Sequence, residues 1–286
     1  MPELPEIHAL VSDLGARLLG RTVSRLDLVS FAALKTFDPP VSILNDQVVT
    51  SIDRHGKFLD LGIGDVHLVL HLARAGWIRW REGEPPPRTK PSSGPLTARL
   101  VLDDGSGFDV TEAGTKKSVA IWIVRSVEEI PQIVRLGPDP LDVSFTFDVF
   151  SAILASAGRT QIKGVLRDQS LIAGIGNAYS DEILHAAHMS PYKPASMSPD
   201  EASELYDAVR ETLRSAIGRS EGVAASNLKR EKKTAMRVHG RAGEECPVCG
   251  DTVRQVIFAD RTLEYCPSCQ TGGKLLADRV LSRLLK

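Results

Sequence analysis

From residue 21 to about residue 125 the apolar side chains of this 286-residue chain alternate with polar ones, and beyond Leu136-Gly137-Pro138-Asp139-Pro140 they recur every three to four residues. A period of two buries one face of a strand, and a period near 3.6 buries one stripe of a helix. The switch excludes one uniform architecture and predicts an antiparallel β-domain followed by a mainly helical one. Strands are expected over 23–29, 48–52, 58–63, 67–72, 77–80, 100–102 and 119–124, separated by turn pairs such as Gly64-Asp65 and Asp104-Gly105. Ahead of them Ile7, Leu10, Val11, Leu14 and Leu18 line one face of a helix that Gly20 ends. Five prolines between Pro85 and Pro95 mark a loop inside the β-domain, because strand patterning resumes after it. In the second half Phe147, Phe150, Ile153 and Leu154 share a helix face. Leu205, Val209, Leu213 and Ile217 share another, on a helix opened by Ser198 as N-cap, Pro199, and Glu201 closing a capping box.

The four cysteines fall in two tight pairs, Cys246-Pro247-Val248-Cys249 and Cys266-Pro267-Ser268-Cys269, with sixteen residues between them. That spacing suits two thiolate knuckles closing on one tetrahedral Zn²⁺. The intervening 253–258 and 261–265 would form the two strands of a zinc ribbon, with Ala259-Asp260 near its turn. Four cysteine ligands leave no open coordination position, so Cys246, Cys249, Cys266 and Cys269 are expected to hold a structural metal. The organisation expected is α+β and multidomain: an N-terminal helix plus antiparallel β-sandwich over 1–135, a linker over 136–147, a helical domain over 148–235, the zinc ribbon over 236–272 and a C-terminal extension over 273–286. Leu275, Leu276, Val280 and Leu284 suggest a short helix in the last stretch.

With 35 basic and 36 acidic residues the net charge is −1, so no global field draws the chain to nucleic acid. Any such partner must be recognised locally. Lys229, Arg230, Lys232, Lys233, Arg237 and Arg241 stand against a single acid, Glu231, and read either as a solvated loop or as a basic patch. No basic segment followed by an apolar run opens the chain, and no stretch reaches the ~20 apolar residues of a membrane helix. A cytoplasmic, nucleoid-associated monomer without a membrane is expected.

The first residues are Met1-Pro2-Glu3-Leu4-Pro5-Glu6. Proline and acids suit the first turn of a helix. The same residues, with Met1 removed, leave a secondary α-amine whose kind titrates near 7.7–8.0, about two units or more below lysine. Such an amine can attack a sugar C1′ and form an iminium. The opening Pro2-Glu3-Leu4-Pro5-Glu6 resembles the signature of the formamidopyrimidine-DNA glycosylase and endonuclease VIII family, and three further segments agree. Arg54-His55-Gly56-Lys57-Phe58-Leu59 resembles its lysine-bearing hairpin. The run from Gln169 to Leu184, with Gly174, Gly176 and Asn177, resembles its helix-two-turns-helix motif. Val238-His239-Gly240-Arg241 leads into its zinc ribbon.

The resemblance implies a base-excision DNA glycosylase with lyase activity acting on damaged DNA and carrying one structural Zn²⁺. It makes Pro2 the nucleophile, Glu3 a proton shuttle, Glu6 an orienting acid and Lys57 a catalytic and DNA-contacting amine. It places His71, Arg74, Lys163, Asn177 and Arg261 on the DNA, although His71 would equally suit a packed strand position. Two departures stand out. Arg74 occupies a place where the family typically carries methionine, and the loop Glu112–Ser118 lacks the family's arginine and phenylalanine. A less apolar wedge unstacks a duplex less well. The stretch from Glu221 to Arg237 is shorter than the family loop over oxidised guanine, which points to oxidised pyrimidines or other lesions. The rival reading is a damage-binding relative that is catalytically silent or shifted to another lesion.

Overall fold

The computed structural model describes residues 1–85, 94–258 and 261–277; the side chains of Phe258 and Arg261 lie outside the described set. The chain divides into two compact units, Met1–Arg135 with Ile217–Glu231, and Leu136–Ala216 with Lys232–Lys286.

The first unit opens with helix α1 (Leu4–Leu18), followed by β1 (Thr22–Leu28), β2 (Gln47–His55), β3 (Phe58–Ile63), β4 (Val66–His71), β5 (Gly76–Arg81), β6 (Leu96–Leu102), β7 (Gly107–Glu112) and β8 (Ala120–Val124), then the short α2 (Pro131–Val134). The strands join in the order β5-β7-β6-β1-β2-β3-β4-β8, every pair antiparallel. Strands β1 and β2 share only the register pairs Thr22↔Val48 and Val23↔Gln47. The sheet therefore breaks there into two four-stranded halves with one core, as a sandwich requires. Leu59, Leu61, Leu68, Leu70, Ile121 and Ile123 of one half meet Leu26, Ile78, Ala98, Leu100, Phe108 and Val110 of the other, with Ile7, Leu10, Leu14 and Leu18 of α1 in the same cluster. Strand β7 escapes the expected strands because Phe108 and Val110 are its only strongly apolar residues. Its closing acid, Glu112, is nevertheless buried.

The second unit holds α3 (Phe147–Ala157), α4 (Ile162–Arg167), α5 (Asn177–Ala186) and most of α6 (Pro199–Ser220). The helix α7 (Leu228–Ala235) then leads to the ribbon strands β9 (Arg254–Phe258) and β10 (Arg261–Tyr265) and to α8 (Pro267–Thr271). The cap of α6 forms as its sequence indicates: Ser198 Oγ accepts from the Glu201 N–H at 3.3 Å, and Glu201 Oε2 accepts from the Ser198 N–H at 3.0 Å. Residues 217–231, read from sequence with the helical domain, group with the first unit, where Ala225 and Leu228 enter the sandwich core. The helix expected at the C-terminal end is not formed over its described part. Gly272 (φ 60°) and Gly273 (φ 80°) take left-handed conformations that stop α8. Leu275 and Leu276 then follow without helix, and Val280 and Leu284 lie outside the described residues, as does most of the loop between Pro85 and Pro95.

Leu61 is fully buried between the two halves. Leu61→Ala is expected to lower unfolding stability by about 2–5 kcal/mol, as a large-to-small change in a packed core does; urea titration followed by tryptophan fluorescence measures it.

Candidate active site and nucleic-acid interface

At the chain start, Glu3 is the N-cap of α1, and Glu3 and Glu6 form a reciprocal capping box in which Glu6 Oε2 accepts the Glu3 N–H at 2.7 Å. Pro5 falls in the first turn, where a missing N–H costs nothing. Glu3 is 1% and Glu6 0% exposed, and Pro2 is buried beside them. The capping box therefore holds both acids in the turn that begins beside Pro2. Helix α1 packs on β2 and β3, and its C-terminal end is held at the start of β2 by the Gly20 N–H on the Val49 carbonyl, 2.9 Å. The β2–β3 turn, at the other end of β2, carries Lys57.

That turn is the two-residue connection Gly56-Lys57 between the paired His55 and Phe58, with Gly56 at φ 56°. Lys57 is 7% exposed. His71 pairs with Phe58 across the ladder and lies against its ring, with centroids 4.7 Å apart. Burial, and secondarily the positive charge of Lys57, lower the His71 pKa to about 4. A neutral His71 can meet a phosphate only through an N–H hydrogen bond, not through charge.

Arg74 is exposed on the β4–β5 loop, closed by the Gly76 N–H on the Leu72 carbonyl at 2.8 Å. A Cβ at Gly76 would lie 2.2 Å from that carbonyl oxygen, so the closure requires glycine. The neighbouring loop after β7 is anchored by Glu112, whose carboxylate accepts the N–H groups of Ser118 (2.7 Å) and Val119 (3.2 Å). The register pair Gly76↔Glu112 sets the two loops side by side, with Arg74, Lys116 and Lys117 exposed on them.

In the second unit, α4, two turns and α5 form the expected helix-two-turns-helix. Gln169 holds the turns: its Nε2 donates to the carbonyls of Arg167 and Ile175, both at 2.8 Å, and its Oε1 accepts the Gly174 N–H at 3.0 Å. Gly174 has φ 89°, the left-handed region that favours glycine. Asn177 is the first residue of α5. Its Nδ2 donates to the Thr262 carbonyl at 2.9 Å, and its Oδ1 is buried without a hydrogen-bond partner among the described residues. Arg261 begins β10 opposite Phe258, and its side chain lies outside the described residues. Lys163 departs from the picture of a phosphate-facing amine. It is 7% exposed, pairs with Asp181, and donates to Ser180 Oγ at 3.0 Å and the Asn177 carbonyl at 3.3 Å, so its charge is used inside the motif.

The sulfurs of Cys246, Cys249, Cys266 and Cys269 all lie within 4.8 Å of one another, with Cys246–Cys269 at 3.9 Å and Cys249–Cys266 at 3.3 Å. Zn–S bonds of ~2.3 Å in a tetrahedron place sulfurs about 3.8 Å apart, so the donor set fits one zinc. Burial pushes the Cys266 thiol up to about 11 and raises that of Cys269 further. A divalent cation must therefore displace protons to bind. His185 Nε2 is 3.3 Å from Cys246 Sγ, and burial lowers its pKa to about 4. A neutral ring with Nε2–H toward the sulfur supports the ligand from outside the coordination shell.

The sequence reading missed the acids that hold the ribbon to α5. Glu182 accepts the N–H groups of Arg237, Val238 and His239 at 2.8 to 2.9 Å, while Asp181 and Glu264 flank the His239 ring. The available signal was Asp181-Glu182 directly ahead of Ile183-Leu184 in a helix without an evident polar face.

A helix-capped sandwich with acids at its amino terminus, joined to a helix-two-turns-helix and a closed zinc ribbon, defines the class of protein. Residues 1–115 match the formamidopyrimidine-DNA glycosylase N-terminal domain, residues 136–227 the H2TH domain of the same enzymes, and residues 243–272 the zinc finger found in FPG and IleRS. The formamidopyrimidine-DNA glycosylase of Thermus thermophilus is 34% identical over 284 residues, covering 96% of this chain and all of the relative. An uncharacterized formamidopyrimidine-DNA glycosylase-like protein of Mycobacterium tuberculosis is 55% identical over 157 residues, 54% of this chain and 98% of the relative. Among solved structures, MutM (Fpg) of T. thermophilus superposes with a TM-score of 0.79 at 32% identity, covering 96% of this chain and all of that one. Lactococcus lactis Fpg bound to DNA containing an abasic site does so with 0.81 at 25% identity, covering 94% and 99%. The chain belongs to the formamidopyrimidine-DNA glycosylase family.

Metal analysis of the purified protein is expected to find one zinc per chain. Cys249→Ala or Cys266→Ala is expected to lose it and to lower the thermal transition, since the apparent binding energy of such sites, about 10–16 kcal/mol, is also folding energy.

Proposed function

We propose that this chain is a base-excision DNA glycosylase with lyase activity, acting as a monomer on damaged DNA through the α-amine of Pro2 once Met1 is removed. The observation that carries the reading is the pair of buried carboxylates, Glu3 and Glu6, held by their capping box at the residue after Pro2. No helix among the described residues is long and apolar enough to cross a membrane.

The reaction follows from the chemistry of a secondary amine. A damaged nucleotide leaves the stack at a cost of a few kcal/mol, least where it is poorly paired. The Pro2 nitrogen bonds to C1′, the bond from C1′ to the base breaks, and the base departs with a proton. The C1′–O4′ bond then opens, the ring oxygen taking a proton while the nitrogen lone pair forms the C1′=N bond, and the resulting iminium acidifies the C2′ hydrogens. Removal of one expels the 3′ phosphate and cuts the strand, and water then releases the sugar fragment from Pro2. Glu3, next to the nucleophile, moves the protons of ring opening and elimination, and Glu6 holds Glu3 in place. Lys57 in its hairpin, Asn177 at the start of α5 and Arg261 at the ribbon turn take backbone phosphates, which positions the strand without reading its sequence. His71 adds a neutral N–H donor and Arg74 a cation at its loop tip. Lys163 acts from within, by ordering the first turn of α5 around Asn177. With Arg74 on one loop and Lys116 and Lys117 on the other, lesions in weakly stacked or single-stranded DNA are the preferred substrates.

Mass spectrometry of the intact protein should show Met1 absent, and borohydride should trap a covalent adduct with abasic-site DNA. Acetylation of the terminus, or Pro2→Gly, should reduce both adduct and cleavage; full retention of both would overturn the assignment. Glu3→Gln should keep the helix cap and slow base excision by about 10²–10⁴-fold, the range of a lost general acid–base group, in a single-turnover assay.

A further inference from the structure

The reaction leaves unused a group of charges buried within the second unit. His239 Nδ1 lies 2.8 Å from Asp181 Oδ2 and 3.1 Å from Glu264 Oε2, with Asp181 fully buried, Glu264 5% exposed and the imidazole 27% exposed at the side chain. The groups around it come from every packed element. Asp181 and Glu182 come from α5, with Glu182 taking the His239 N–H at 2.9 Å. Lys163 of α4 sits on the second oxygen of Asp181. Glu264 of β10 also accepts the Gly240 N–H and, at 3.0 Å, Gln255 Nε2 of β9. Three carboxylates, Asp181, Glu182 and Glu264, stand around one ammonium, Lys163, which pairs with Asp181. A second cation at His239 offsets another of these negative charges, which makes such a buried cluster more tolerable. Burial disfavours that cation, but the hydrogen bonds and charges of Asp181 and Glu264 outweigh burial and raise the His239 pKa to about 9.

Asn177 and Asp181 are one turn apart on the same face of α5, and both are tied to β10: Asn177 directly at Thr262, Asp181 through His239 to Glu264. We propose that His239 is a positioning residue for DNA, a charged staple that holds the start of α5 and the start of β10, where Arg261 lies, at the spacing a single phosphate backbone requires. This rests on the DNA-binding reading above. The same three ligand atoms cluster closely enough to hold a metal ion, but the Lys163 ammonium already on Asp181 opposes a dication there.

The sign of the pH effect follows from linkage. The folded His239 value lies above the free value of 6.5, so its contribution is whole below about 6.5 and is lost as pH rises through about 9. The test is fluorescence anisotropy with an uncleavable abasic-site duplex from pH 6.5 to 9.5, on wild type, His239→Gln, His239→Lys and Glu264→Gln, each checked for zinc content. His239→Gln should bind about tenfold more weakly at pH 7, the order expected when a partner is removed from a buried ion cluster, and should lose the fall in affinity that wild type shows toward pH 9. His239→Lys should restore most of the neutral-pH affinity, and Glu264→Gln should move the wild-type midpoint to lower pH. Single-turnover cleavage by His239→Gln at saturating enzyme should stay within about twofold of wild type, separating strand positioning from chemistry. Equal affinity and identical pH profiles for wild type and His239→Gln would overturn the staple, as would a second equivalent of metal lost with His239. If His239→Gln does not fold, an unmoved midpoint in Glu264→Gln overturns it instead. A wild type that forms no borohydride adduct would refute the glycosylase reading and leave this binding comparison intact.

Discussion

A carboxylate taken out of water must be met by donors, because an unpaired buried charge costs more than most proteins have in total stability. The functional loops of this chain are folded around such carboxylates. Glu6 accepts the Glu3 N–H and shapes the chain start, Glu112 gathers Ser118 and Val119 and sets the loop beside Arg74, and Glu182 collects three successive N–H groups from Arg237 to His239. Glu264 does the same for Gly240. Loops held this way keep one geometry, which is what a site must have to act on a single sugar carbon and a few phosphates.

The same economy explains how a chain of net charge −1 can serve DNA. Without a strong overall field, association depends on a few placed contacts, each of which must be ordered before the strand arrives. Helix α5 illustrates the arrangement. Lys163 supports it from α4, Asn177 and Asp181 tie it to the ribbon, and His185 reaches the zinc ligand Cys246. The zinc therefore stabilises more than its own knuckles, since the ribbon it closes carries the partners of that helix.

The two loops bearing Arg74 and Lys116-Lys117 show how a fold can be kept while its surface chemistry changes. Their backbone closure depends on Gly76 and on the buried Glu112. Side chains at the tips can then vary from apolar to basic without disturbing the sandwich.

Sequence alone determined the local features of this protein: the change of period near Leu136, the proline and acids suited to a first turn at the chain start, the α6 cap, the spacing of the cysteine pairs, and the chemical opening Pro2-Glu3. Each rests on residues a few positions apart, where backbone geometry dictates what can meet. The resemblance to a known family added Lys57, His71, Arg74, Asn177 and Arg261 as residues to look for, and it placed Lys163 on the DNA. Only the tertiary structure decided the strand order, the inward-facing Lys163, the membership of 217–231 in the first unit, and the Asp181–His239–Glu264 cluster. Those depend on which distant segments share a buried space, and the cost of desolvating a charge is set by that space and not by neighbouring residues in the chain.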